Sequence, residues 1–156
     1  MKTLVVYDLG NLFFCSKKRF GEGRINYGKV QALIGEAAKS VGYTPHDSKT
    51  FRDALKFLGI DVIIQAGDPT VRIACDTLEI ASQFDKIVLC TSRREAAPLI
   101  SKIKSKGVRV EVLACGVPTD LIKVADSFQE LPEDSVSKAL VQGDTQDETI
   151  TTTSET

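Results

Sequence analysis

The chain has 156 residues, of which 42% are hydrophobic and 26% charged, with a formal net charge of −1; this supplies one ordinary core and excludes both a histone-like basic protein and a wholly acidic disordered chain. The charge is unevenly spread, since residues 1–129 hold 19 Lys or Arg against 14 Asp or Glu, whereas residues 130–156 hold one Lys against seven acids. No stretch approaches the roughly 18 consecutive apolar residues of a membrane span, so neither a span nor a signal peptide is expected.

Residues 3–8 (TLVVYD) form a short apolar run of β-branched and aromatic residues ending on a carboxylate, the pattern of a strand buried on both faces of a parallel sheet. Asp8-Leu9-Gly10-Asn11 then sets a carboxylate and an amide three residues apart at the strand tip. Such a pair can converge on a divalent cation, or Asp8 can simply cap the following helix. Lys17-Lys18-Arg19 reads either as phosphate contacts flanking that tip or as a solvated helix end. Gly21-Glu22-Gly23-Arg24 lacks the third glycine of a dinucleotide fingerprint, Asn26 standing in its place, and is expected to be a loop.

Helical periodicity covers residues 27–41, with Gly42 as its C-cap, and residues 48–58, with Gly59 beyond. Strands are expected at 61–65 (DVIIQ), 86–91 (KIVLCT) and 108–113 (VRVEVL), the last nearer an edge because it alternates more. Helices are expected at 69–84, 95–106 and 119–127. Strands alternating with helices imply right-handed βαβ units, hence a parallel sheet between helical layers. Ligands of such sheets bind at the carboxyl ends of the strands. The residues to inspect are therefore 8–11, 66–68, 91–95 and 114–117.

Cys15, Cys75, Cys90 and Cys115 are separated by 60, 15 and 25 residues, neither a metal knuckle nor a redox pair. Their apolar contexts predict reduced core thiols in a cytoplasmic protein. His46, the single histidine, stands in a polar stretch without a zinc or triad partner. Residues 142–156 are Thr-rich, acidic and nearly free of apolar side chains, so disorder is expected there. The organisation predicted is one domain over residues 1–131 and an acidic tail over 132–156, the tail either solubilising or competing with a polyanion for the basic body.

The run LVVYDLGN at 4–11, the helix carrying Ile73-Ala74-Cys75-Asp76 with Leu78 and Ala81, then DKIVLCTSRREAAPLISKIKSKGVRVEVLA and LIKVADSFQEL together resemble the NYN domains, the LabA-like branch of the PIN-like nuclease superfamily. The resemblance implies a three-layer Rossmann-like (PIN-like) α/β fold with a mostly parallel sheet of four to five strands. It implies acidic residues at the strand tips that hold Mg²⁺ or Mn²⁺ for phosphodiester hydrolysis, chiefly of RNA and secondarily of DNA, with no membrane partner. Carried over residue by residue, the family's first Asp falls on Asp8, its Asn on Asn11 and its mid-chain Asp on Asp76.

Two departures accompany the match. Where NYN domains carry Ser-Gly-Asp-x-Asp-Phe, this chain reads Thr91-Ser92-Arg93-Arg94-Glu95-Ala96, so Arg93 replaces the first acid and Glu95 keeps the second. A strand expected before Ser48 is missing, only a short polar stretch at 42–47 being available. The implied site is Asp8, Asp76 and Glu95 as metal ligands, Glu95 also as a water-activating base, Asn11 as an orienting group, and Thr91, Ser92, Arg93 and Arg94 as phosphate contacts. Three carboxylates suffice for one hydrated cation but hold two poorly. The alternative is a non-catalytic nucleic-acid-binding or protein-interaction module that keeps the fold. With the aromatics mostly in apolar runs, no stacking platform for bases is expected.

Overall fold

The computed structural model describes residues 1–136, and the acidic tail beyond them lies outside the described residues. In chain order the elements are β1 (Thr3–Asp8), α1 (Leu9–Phe20), α2 (Tyr27–Ile34), β2 (Lys39–Thr44), α3 (Lys49–Phe57), β3 (Asp61–Ile64) and α4 (Thr70–Ile80). There follow β4 (Lys86–Cys90), α5 (Ala97–Ser105), β5 (Arg109–Ala114), α6 (Thr119–Val124) and β6 (Ser127–Glu130). Short 3-10 turns at Ala81–Gln83, Arg94–Ala96 and Glu133–Ser135 complete the chain.

The six strands form one sheet in the order β3-β2-β1-β4-β5-β6, and every pairing is parallel. β1 is wholly buried, and its side chains alternate between two cores as the strand period requires. Leu4 and Val6 join Tyr43, Ile73, Ile100 and Leu121 on one face, the side of α4–α6. Val5 and Tyr7 join Leu12, Val30 and Leu55 on the other, the side of α1–α3. The chain thus has the three-layer α/β fold expected of it, with all strands parallel and with six strands rather than four or five. The order reverses between β1 and β4, so their carboxyl tips flank the crevice where doubly wound sheets place ligands.

The two additional strands were hidden for different reasons. Helix α2 stops at Ile34, because Gly35 takes φ 94° at its C-cap, a left-handed value that glycine adopts freely. The chain then enters β2, so the missing strand lies partly within the predicted helix 27–41. Gly42 is no C-cap but a strand residue paired with Tyr7 and Val62. A Cβ on it would stand 2.7 Å from Leu9 Cδ1, which is why the sequence breaks its β-branched run there. At the far edge, the predicted helix 119–127 ends at Val124 and Ser127–Glu130 becomes β6. This puts β5 one place inside the edge.

The ordered packing continues past residue 131. Asn26 N–H donates to the Ser135 carbonyl at 2.8 Å, Ile25 bridges Val136, and both Ser135 and Val136 are buried. Of the cysteines, Cys90 and Cys115 are buried as expected, Cys15 is half-buried, and Cys75 is exposed on α4; all four are free thiols. Among the described residues no helix is long and apolar enough to cross a membrane.

Candidate functional site

Asp8 ends β1 and starts α1, so one residue sets both the strand tip and the helix N-terminus. Its Oδ1 accepts the Asn11 N–H at 3.2 Å, the capping bond expected of Asp in that position. Its Oδ2 accepts the Thr91 hydroxyl at 3.2 Å and the Arg93 Nε–H at 2.7 Å. The carboxylate is only 2% exposed, against 27% for the Arg93 side chain. A short, charge-assisted bond between a buried anion and a half-buried guanidinium is among the stronger polar contacts a fold contains.

Arg93 reaches a second acid. Its Nε lies 3.6 Å from Asp68 Oδ1, in the loop after β3, so one guanidinium joins the tips of β1, β3 and β4. Burial pulls its pKa down, but the hydrogen bond to Asp8 and the charges of Asp8, Asp68 and Glu95 outweigh this and hold it above the ordinary arginine value. Asp68 is held below the usual carboxylate range, first by the Thr70 hydroxyl at 2.6 Å, then by the Thr70 N–H and by Arg93. The Arg93 backbone N–H donates to Thr91 Oγ1 at 3.2 Å, fixing the turn that aims the side chain.

Asn11 ties the first turn of α1 to the same loop. Its Oδ1 accepts from both the Ser92 N–H at 2.8 Å and the Ser92 hydroxyl at 3.0 Å, while its Nδ2 faces Cys15 Sγ at 3.7 Å. The hydroxyls of Thr91 and Ser92 are therefore spent inside the site. Asp8, Asn11, Thr91, Ser92 and Arg93 form one connected network.

The other expected residues make no hydrogen bond to this network, although the charge of Glu95 acts on Arg93. Asp76, on α4, accepts the Tyr43 hydroxyl at 2.8 Å and the Arg72 Nε–H at 3.0 Å. Burial first, and then the bond to Asp76, push the Tyr43 pKa up. Glu95 is exposed in the 3-10 turn, and Arg94 turns toward Asp120 at the start of α6, 3.9 Å away. Lys17, Lys18 and Arg19 occupy the last turn of α1, where cations suit the helix dipole.

Beside the network a cavity of about 710 Å³ opens between the first turns of α1, the loop before α2, and α3. Its lining includes Asp8, Arg93, Phe13, Phe14, Tyr27 and Phe51. The Tyr27 ring is held edge-on to Tyr7 and to Phe51, at centroid distances of 5.6 and 6.4 Å. Aromatic side chains absent from any one sequence motif are thus gathered next to the strand tips.

The profile of the family described as NYN domain matches residues 2–132. The chain belongs to the NYN domain family. That family is part of the PIN-like nuclease superfamily. Among solved structures, a protein of unknown function from Vibrio parahaemolyticus RIMD 2210633 is similar at a TM-score of 0.82 and 18% identity, over 87% of this chain and 96% of that one. At that identity the likeness speaks for the fold. No curated protein matches the chain.

In this NYN domain the family's divalent cation meets an unsuitable donor set. Both Asp8 oxygens are already engaged, one of them by a guanidinium at 2.7 Å. Among the described residues no three His, Cys, Asp or Glu side chains gather closely enough to hold a metal ion. The cation facing Asp8 is Arg93 itself. Asp68, the second acid on Arg93, stood among the strand-closing residues 66–68 but outside the expected ligand set; it accepts the N–H of Thr70, the first residue of α4. Its position closing β3 was the available signal, since strand tips converge in such a sheet.

Proposed function

We propose that this NYN domain is an RNA-binding member of its superfamily in which the Asp8–Arg93 ion pair stands where a metal ion would be gripped, so that it holds RNA without cleaving it. The observation that carries this is the 2.7 Å bond from Arg93 Nε to Asp8 Oδ2, with Asp68 on the same guanidinium. Three charges in such proximity leave one net negative charge, too little to concentrate a divalent cation against its hydration cost. The guanidinium and the Thr91 hydroxyl also occupy Oδ2 of Asp8, leaving that oxygen no free position toward a water molecule. RNA is the partner that the superfamily membership supports, with DNA next.

The other reading is Mg²⁺- or Mn²⁺-dependent hydrolysis, with Asp8, Asp76 and Glu95 as ligands, and superfamily membership favours it. One experiment separates the two. Calorimetric titration of Mn²⁺ into the full chain and into Asp8→Asn is run alongside incubation of labelled RNA with each. RNA bound intact, with no Mn²⁺ heat that depends on Asp8, is the expected result. Metal-dependent cleavage lost together with the Mn²⁺ heat in Asp8→Asn would overturn the proposal in favour of the nuclease.

A further inference from the structure

The last described residues of the chain are tied to a wall of the cavity beside the Asp8–Arg93 network. Val136 is buried and forms an antiparallel bridge with Ile25. Asn26 N–H donates to the Ser135 carbonyl at 2.8 Å, and Lys29 Nζ to the Asp134 carbonyl at 3.1 Å. Ile25 and Asn26 both line the cavity, so residues 137–156 start out from its edge.

The cavity is lined chiefly by apolar and aromatic groups, and its volume of about 710 Å³ exceeds that of any one side chain. Phe14 lines it and is 70% exposed, an apolar ring in water on the open side, where covering apolar surface is favourable. Tyr27 is held edge-on to both Tyr7 and Phe51, so this wall is already ordered before anything binds.

The sequence that follows Val136 matches such a surface. Residues 137–156 read SKALVQGDTQDETITTTSET, in which Ala139-Leu140-Val141 is the one contiguous apolar run. Antiparallel pairing that starts at Ile25 and Val136 would set residues 137 and 138 against Arg24 and Gly23, which also line the cavity. An extended chain spans at most about 3.3–3.6 Å per residue, so Leu140 lies within about 14 Å of Val136. A short tether also holds the segment at an effective concentration of about the millimolar order, so a weak apolar contact is enough. Asp144, Asp147 and Glu148 come soon after, and unpaired charges do not enter an apolar recess.

We infer that the cavity is filled by this chain's own Leu140 and Val141, a plug that any outside ligand has to displace. The inference rests on the cavity and on where the described chain ends, and it holds whether or not RNA is the partner.

Methyl NMR of the full chain tests this without any nucleic acid. A methyl group seated among Phe13, Tyr27 and Phe51 feels their ring currents, so the Leu140 methyls, assigned by their disappearance in Leu140→Met, should resonate upfield of a leucine in water. Ala54 is an exposed α3 residue on the cavity lining. Ala54→Trp fills the cavity from the surface and should return those methyls to the water position, with thermal unfolding verifying that the variant stays folded. Leu140→Ser should raise binding of the apolar dye anilinonaphthalene sulfonate severalfold, because the cavity is vacated. Leu140 methyls at the water position in the wild type would overturn the inference, as would equal dye binding by wild type and Leu140→Ser. An upfield shift that fades on dilution would assign the plug to a second copy of the chain and overturn the intramolecular reading.

Discussion

Replacing Arg93 by Gln keeps a hydrogen-bond donor of similar reach but strands the Asp8 charge. At an effective dielectric of about 20, two unit charges 4 Å apart attract by about 4 kcal/mol, and removing one member of a buried pair costs about 3–5 kcal/mol. Two features lower the figure here. The Arg93 side chain is 27% exposed, so part of the attraction is screened, and Asp8 keeps its bonds from Thr91 and from the Asn11 N–H. The expected loss is about 2–3 kcal/mol, which for a chain of this size is a fall in Tm of roughly 5–10 °C. Urea unfolding of wild type, Arg93→Gln, Asp8→Asn and the double variant gives the pairwise term. With Asn at position 8 no charge is stranded, so Arg93→Gln should cost far less there, with a coupling above about 1 kcal/mol. A loss below about 0.5 kcal/mol in the wild-type background, or an equal loss in both backgrounds, would refute the claim that Arg93 neutralises Asp8.

Asp76→Asn should lower stability by about 0.5–1 kcal/mol, by weakening its bonds with Tyr43 and Arg72; thermal unfolding in EDTA checks this, and a gain would mean that carboxylate crowding, not hydrogen bonding, governs the position. Gly42→Ala should cost about 1–3 kcal/mol, since the added Cβ meets Leu9 Cδ1 at 2.7 Å; combined with Leu9→Ala the two losses should be less than additive by chemical denaturation. Asp68 titrates below the ordinary carboxylate value, so its folded pKa lies under its unfolded one of about 3.9. Its contribution is complete above that pH and is lost as acid carries the solution through the lowered value. NMR titration of the Asp68 carboxyl, with the midpoint moving up in Thr70→Val, is the measurement.

The architecture was legible because parallel strands are often written as apolar runs, and four of the six are, three of them buried and the fourth the edge strand β3. β2 was not, because its glycine looks like helix punctuation until Leu9 is seen pressing on it, and β6 (SFQE) is a four-residue edge strand with little apolar content. Within the site, Asp8, Asn11 and the 91–93 loop were readable as strand-tip residues, and the replacement of an acid by Arg93 was visible in the motif. What Arg93 does with its charge was not, because its partners come from β1 and from the loop after β3. Asp76 illustrates the converse: a residue in the right motif is bonded by a tyrosine on β2 that no sequence pattern connects to it. The aromatic cavity was hidden for the same reason, its rings being contributed by α1, α2 and α3 in turn.

The parallel sheet also shapes how the molecule assembles. With no hairpin among its strand pairings, each must be closed across an intervening crossover, and loop-closure entropy opposes it until both strands are in place. Asp8 and Arg93 are 85 residues apart in sequence, and Asp68 reaches the same guanidinium from the other half of the sheet. No contiguous stretch of chain can build this constellation by itself. The ion pair is therefore a marker of finished folding: a partly assembled chain carries its carboxylates bare, and the neutralised site exists only once both halves have docked.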